Sequence, residues 1–87
     1  MISEAFTITA TRQRIVAPAP SSRWIYIHMT GNAIVYLGGD NVTTTNGMST
    51  EKGAVPFEFF LPSNESLYAV CATTENMRLL RPSADGN

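Results

Sequence analysis

The sequence has one cysteine and one histidine. A single cysteine excludes an intrachain disulfide, and one of each leaves too few ligands for a Cys/His zinc site. Charge is scarce as well, with six Lys and Arg against seven Asp and Glu. The basic residues are scattered, without the stripe or cluster that a nucleic-acid surface needs. No apolar run has the length of a membrane-crossing helix. The start, Met1-Ile2-Ser3-Glu4-Ala5, lacks the basic region and apolar stretch of a secretory signal, so synthesis in the cytoplasm is expected. No stretch repeats apolar residues at helical spacing. Eighty-seven residues suit one domain, 1–87. A chain this short buries roughly 60–65% of its unfolded surface, so an all-β core is marginal. Without disulfides or metals, oligomerisation or docking on a larger body is what remains to support it.

What is present is strand and turn. Phe6, Ile8 and Ala10 alternate with Thr7 and Thr9, the pattern of a half-buried strand. Arg12 to Val16 reads as a second short strand or as the same strand after a bend, and Pro18 to Ser22 as a connecting breaker segment. Arg23 to Thr30 is the strongest strand and is apolar on both faces, so both faces should be covered. Gly31-Asn32 reads as a tight turn, with Ala33 to Leu37 returning antiparallel. That strand stops at Gly38-Gly39, where φ > 0 is available without steric cost. Asp40 and Asn41 can brace the turn, Val42 reads as a plug under a polar excursion, and Asn46-Gly47 closes it. Glu51-Lys52-Gly53 turns into Ala54 to Leu61, where Pro56 points to an edge or a strand start. Ser66 to Ala72 and Asn76 to Arg81 read as a last hairpin, and 82–87 as a polar, frayed tail. About seven short strands at this spacing predict a small antiparallel β-sandwich or a partly open barrel. Val35, Leu37, Phe57, Phe59, Leu67, Ala69, Met77 and Leu79 are the expected inward set.

Candidate chemistry is thin. His28 has no acidic neighbour in sequence that would make it a base, so it reads as a structural or interface residue. Cys71 lies in an apolar strand and reads as a small buried hydrophobe. Asp40 and Asn41 could offer oxygens to calcium, but the spacing of a calcium loop is absent. Gly38-Gly39 belongs to neither phosphate-binding pattern, and no helix follows it. Asn41-Val42-Thr43 and Asn64-Glu65-Ser66 match the glycosylation acceptor pattern without a secretory signal to give it meaning. Thr43 to Thr45 form a polar rim or a solvated loop. Trp24 and Tyr26 could stack on a sugar, though core or subunit packing is the simpler reading. The acids Glu4, Asp40, Glu51, Glu58, Glu65, Glu75 and Asp85 are spread over separate elements. No catalytic, metal or cofactor site is expected.

At Val35-Tyr36-Leu37-Gly38, followed by Asn41-Val42-Thr43 and Asn46-Gly47, the sequence resembles a recurrent small β-module of tailed bacteriophages. The later parts are Phe57-Glu58-Phe59-Phe60, Leu67-Tyr68-Ala69 and Met77-Arg78-Leu79-Leu80. The resemblance runs from about Trp24 to Arg81. It implies a non-enzymatic virion protein: a head decoration or cement protein, a head fibre, or an accessory domain of a tail. The crowding of Phe57, Phe59 and Phe60 departs from the pattern and suggests an additional contact on that strand. The expected partners are the chain itself, as a homotrimer with dimers and pentamers kept open, and the major capsid or another virion protein. Neither nucleic acid nor membrane is expected as a partner. Surplus apolar surface marks such an interface, and Ile25, Ile27, Met29 and Phe60 are assigned to it, with Trp24 and Tyr26 lining the core. Gly38, Gly39, Asn46 and Gly47 are assigned structural turn roles. A receptor- or carbohydrate-binding domain of a tail or fibre is the alternative, and a small enzyme or ligand-binding barrel the third reading.

Overall fold

The computed structural model describes residues 1–50 and 57–82. They contain eight strands: β1 (Ile2–Ile8), β2 (Gln13–Val16), β3 (Arg23–Met29), β4 (Val35–Gly38), β5 (Met48–Thr50), β6 (Phe57–Leu61), β7 (Leu67–Cys71) and β8 (Glu75–Arg81). These make two four-stranded antiparallel sheets, β1-β8-β3-β6 (sheet A) and β2-β7-β4-β5 (sheet B). The protein is an all-β sandwich of the kind the strand pattern predicts, with β5 as the additional strand. The pairing is nested: β1 meets β8, β2 meets β7, β3 meets β6 and β4 meets β5. Eight strands folded back on themselves in this way form a jelly roll.

Strand alternation supplies the core. Sheet A sends Ile8, Ile25, Ile27, Met29, Leu61, Met77 and Leu79 inward. Sheet B answers with Ile15, Val16, Val35, Leu37, Leu67, Ala69 and Cys71. Ile15 and Val16 are neighbours and both buried because β2 shifts register between Arg14 and Val16, and a bulge re-aims a side chain. Most of the expected inward set is here. Phe59 only packs against the cluster, and Phe57, at 36% exposure, stands at the rim.

Three expectations need correction. Ile25, Ile27 and Met29 are wholly buried between the sheets and form no interface. Their strand is turned over relative to the expectation, since a change of parity moves every side chain to the opposite face. Second, neither expected hairpin exists. β3 and β4 lie in different sheets, as do β7 and β8, so Gly31-Asn32 and Thr73-Thr74 are steps across the sandwich. Third, none of Gly31, Gly38, Gly39 and Gly47 has a positive φ; that geometry falls to Asn64 (φ 63°), whose N–H donates to Ala19 O at 2.7 Å. The expected turn at Glu51-Lys52-Gly53, the segment 54–56 and the tail at 83–87 lie outside the described residues.

The steps across the sandwich are pinned by one buried carboxylate. Glu75 opens β8, is 3% exposed, and accepts hydrogen bonds from Gly31 N at 2.6 Å and Ala33 N at 2.9 Å. It thereby ties the β7–β8 crossing to the β3–β4 crossing. Arg23 does similar work at the other end of β3, donating to Ala17 O (3.0 Å) and Glu65 O (3.2 Å).

Two stability outcomes follow from these contacts. Glu75→Ala leaves two amides without their charged acceptor and should cost about 2–3 kcal/mol, measured by urea unfolding. A Cβ at Gly47 would stand 2.7 Å from both Tyr36 Cβ and Val42 Cγ2, whereas at Gly39 its nearest neighbour is 3.7 Å away. Gly47→Ala should therefore lose about 1–3 kcal/mol by overpacking. Gly39→Ala should stay within about 0.5 kcal/mol of the wild type.

Candidate functional site: the outer face of sheet A

The two outer faces of the sandwich differ. On sheet B, Tyr36 and Gly38 face outward, and the chain between β4 and β5 folds back over them. Val42 packs against Gly38 and is 2% exposed, and Gly47 sits over Tyr36. Thr43 and Asn46 set the shape of this loop, in place of the Asp40 and Asn41 expected from sequence. Thr43 N donates to Asn46 Oδ1 at 2.7 Å, while Thr43 Oγ1 accepts from Thr45 N and Asn46 N. Gly38 and Gly47 serve here by close approach, leaving room for Val42 where a Cβ would collide. Arg12 reaches the same loop, donating to Val42 O at 3.4 Å. An open groove of about 620 Å³ remains beside it, lined by Thr11, Arg12, Val42, Thr43 and Val70.

Sheet A has no such cover among the described residues. The outward residues of β3 are Trp24, Tyr26 and His28, since Ile25, Ile27 and Met29 occupy the inner parity. Register places Trp24 beside Phe60, and Tyr26 between Leu80 and Glu58. His28 lies opposite Arg78. Trp24 is 52% and Phe60 46% exposed. Their rings meet edge to face, with centroids 5.2 Å apart, a favoured aromatic arrangement. The Tyr26 hydroxyl donates to Glu58 Oε2 at 3.2 Å. The face is thus an aromatic pair next to a tyrosine–carboxylate pair, flanked by Leu80, His28 and Arg78, all carried on rigid strands.

Glu58 raises the Tyr26 pKa above its ordinary 10.0, first through the hydrogen bond and then through its charge, with desolvation adding in the same direction. The phenol must keep its proton to donate to the carboxylate. The raised value means that the bond contributes fully below pH 10 and is lost as alkali carries the pH through the raised midpoint.

The remaining candidates fall elsewhere. Cys71 is buried in the core, with Sγ 3.9 Å from Thr73 Oγ1. Asp40 and Asn41 are exposed on the loop. The acids of the described residues are dispersed: Glu4 pairs with Arg81 at 3.0 Å, Glu58 with Tyr26, and Glu75 with backbone amides. Among the described residues no three His, Cys, Asp or Glu side chains converge to hold a metal ion. Phe60 is the one residue assigned to an interface from sequence that is exposed; Trp24, assigned to the core, is its exposed partner.

Among known proteins, no family model, curated sequence or solved structure matches this chain.

The Tyr26–Glu58 pair is open to direct test. Glu58→Gln removes the charge that holds the phenol proton. The Tyr26 midpoint, followed by the NMR shift of its ring Cζ, should move down toward 10.0. A Glu58→Gln midpoint no lower than the wild type's would contradict the pairing.

Proposed function

We propose that the protein is a non-enzymatic structural component of a tailed-bacteriophage virion, a head decoration or cement protein that docks on the assembled shell through the outer face of sheet A. The exposed Trp24–Phe60 pair carries this reading. Aromatic residues at a flat, rigid surface supply large contact area with little entropy to lose, and they are enriched where proteins meet. The opposite face of the sandwich is already occupied by its own loop, which leaves sheet A as the docking side. The resemblance over Trp24 to Arg81 supports the same class. The extra contact expected of the Phe57–Phe60 strand fits Phe60, which points outward beside Trp24. Self-association belongs to this reading too, but Ile25, Ile27 and Met29 are buried and do not carry it.

A carbohydrate-binding role is the second reading, and one observation favours it. Tyr26, Glu58 and Arg78 place polar hydrogen-bonding groups beside exposed rings, the combination a sugar platform uses. Jelly rolls serve both as viral capsid domains and as lectins, so the fold decides nothing between the two.

Trp24 is the only tryptophan, so its emission reports directly on this face. Addition of purified heads of the phage that encodes the protein should shift the emission to shorter wavelength and carry the protein into the pellet. Trp24→Ala with Phe60→Ser should abolish pelleting and keep the cooperative unfolding transition. An emission shift with soluble oligosaccharides but none with heads would favour the second reading. A double variant that still pellets with heads would reject docking through this face.

A further inference from the structure

The two sheets present four edges: β1 and β6 in sheet A, β2 and β5 in sheet B. Proteins blunt such edges, because unpaired N–H and C=O groups invite another strand. Among the described residues, three of the four are blunted. β5 has three residues, β2 has four with a register shift, and β6 has five, lying between Pro56 and Pro62 in the sequence. β1 is different. Its seven residues pair with β8 without a break from Ile2↔Arg81 to Ile8↔Glu75, and it contains no proline. Its only charge, Glu4, is held by Arg81 at 3.0 Å on the inner side.

Hydrogen-bond parity identifies the groups left over. Asn76 O accepts from Thr30 N on the β3 side of β8. Met77 and Leu79 therefore turn their backbone groups toward β1, where they meet Phe6 and Glu4. Ser3, Ala5 and Thr7 are left pointing their N–H and C=O groups away from the sheet. Their side chains lie on the outer face and are small or uncharged.

We propose that β1 is a self-pairing edge, through which two copies of this chain join antiparallel about a two-fold axis at Ala5. Only matches between odd-numbered residues use the free backbone groups. Centred on Ala5, the pairing sets Ser3 against Thr7 and Ala5 against its own copy, and engages all three residues of each strand. Glu4 then faces Phe6 and Ile2 faces Ile8. Centring on Glu4 would oppose two like charges, and centring on Phe6 would leave Ser3 outside the pairing. The chosen register also covers the half-buried inner side chains of Ile2 and Phe6. The result is a continuous eight-stranded sheet with main-chain bonds across the joint, the β-augmentation mode of recognition, in an isologous contact. It is the dimer that the sequence reading keeps open beside the favoured trimer. This pairing rests on the self-association half of the proposed function. Its residues lie on the edge strand β1, separated by β8 from β3 and the Trp24–Phe60 pair, and its test uses no heads, so the two can fail separately.

The test is sedimentation equilibrium of the whole chain, without heads, across micromolar concentrations. The wild type should reach twice the 9.5 kDa chain mass. Ala5→Lys places two ammonium groups opposite each other at the axis, and Ala5→Glu two carboxylates. Each alone should sediment at the single-chain mass with its cooperative unfolding intact, and an equimolar mixture should restore the doubled mass. A monomeric or trimeric wild type would overturn the proposal, as would Ala5→Lys remaining dimeric by itself. Should the variants fail to fold, amide exchange of the wild type decides. Ser3, Ala5 and Thr7 should exchange slowly at high concentration and rapidly on dilution, and rapid exchange at all concentrations rejects the pairing.

Discussion

The parity of β3 is the constraint on which the rest of the structure depends. A strand sends alternate side chains to opposite faces. In β3 this splits Ile25, Ile27 and Met29 from Trp24, Tyr26 and His28. The aliphatic set fills the gap between the sheets, where tight packing favours side chains without polar atoms. The other set has an indole N–H, a phenol O–H and an imidazole, groups that stay near water or find a partner. β3 also lies between β8 and β6 and fixes what stands beside it on both sides. Trp24 meets Phe60, and Tyr26 meets Glu58, because β6 takes its register from β3.

The sandwich solves the covering of its two outer faces differently. Sheet B is served from within, by a loop whose single apolar residue, Val42, fits against two glycines. The fit is steric, so those glycines matter for the volume they leave open and not for unusual backbone angles. Sheet A keeps an aromatic surface facing solvent among the described residues. Trp24 is about half exposed while aliphatic residues of the same strand are fully buried. In a chain this small, where every buried side chain matters to a marginal core, its only tryptophan stands outside that core.

Much of the fold is readable in the sequence, because strand periodicity and turn residues are local signals. Every strand but β5, the edge position of β6 and the plug role of Val42 all follow from neighbours in the chain. The connections do not. Gly31-Asn32 signals a change of direction, but that signal is the same whether the chain returns within a sheet or steps to the other one. What decides is Glu75, 44 residues further on, which captures the amides of Gly31 and Ala33. The site was missed for a related reason. Both faces of β3 are apolar by count, so hydrophobicity alone cannot orient it; the polar atoms on the even positions were the usable signal.

The nested pairing also sets an order of assembly. β4 and β5 are joined by a short loop, whereas β1 pairs with β8 from Ile2↔Arg81 to Ile8↔Glu75. Loop-closure entropy grows with the chain enclosed, so the inner pair is the natural place to start, and folds rich in distant pairings are slow, on the order of milliseconds to seconds. On a ribosome adding about 5–20 residues per second, the last strand emerges well after the first. β8 lies between β1 and β3, so until it arrives β1 has no neighbour in its sheet. Until β8 is made, β1 therefore stays an unpaired, proline-free strand, and sheet A cannot be completed before it.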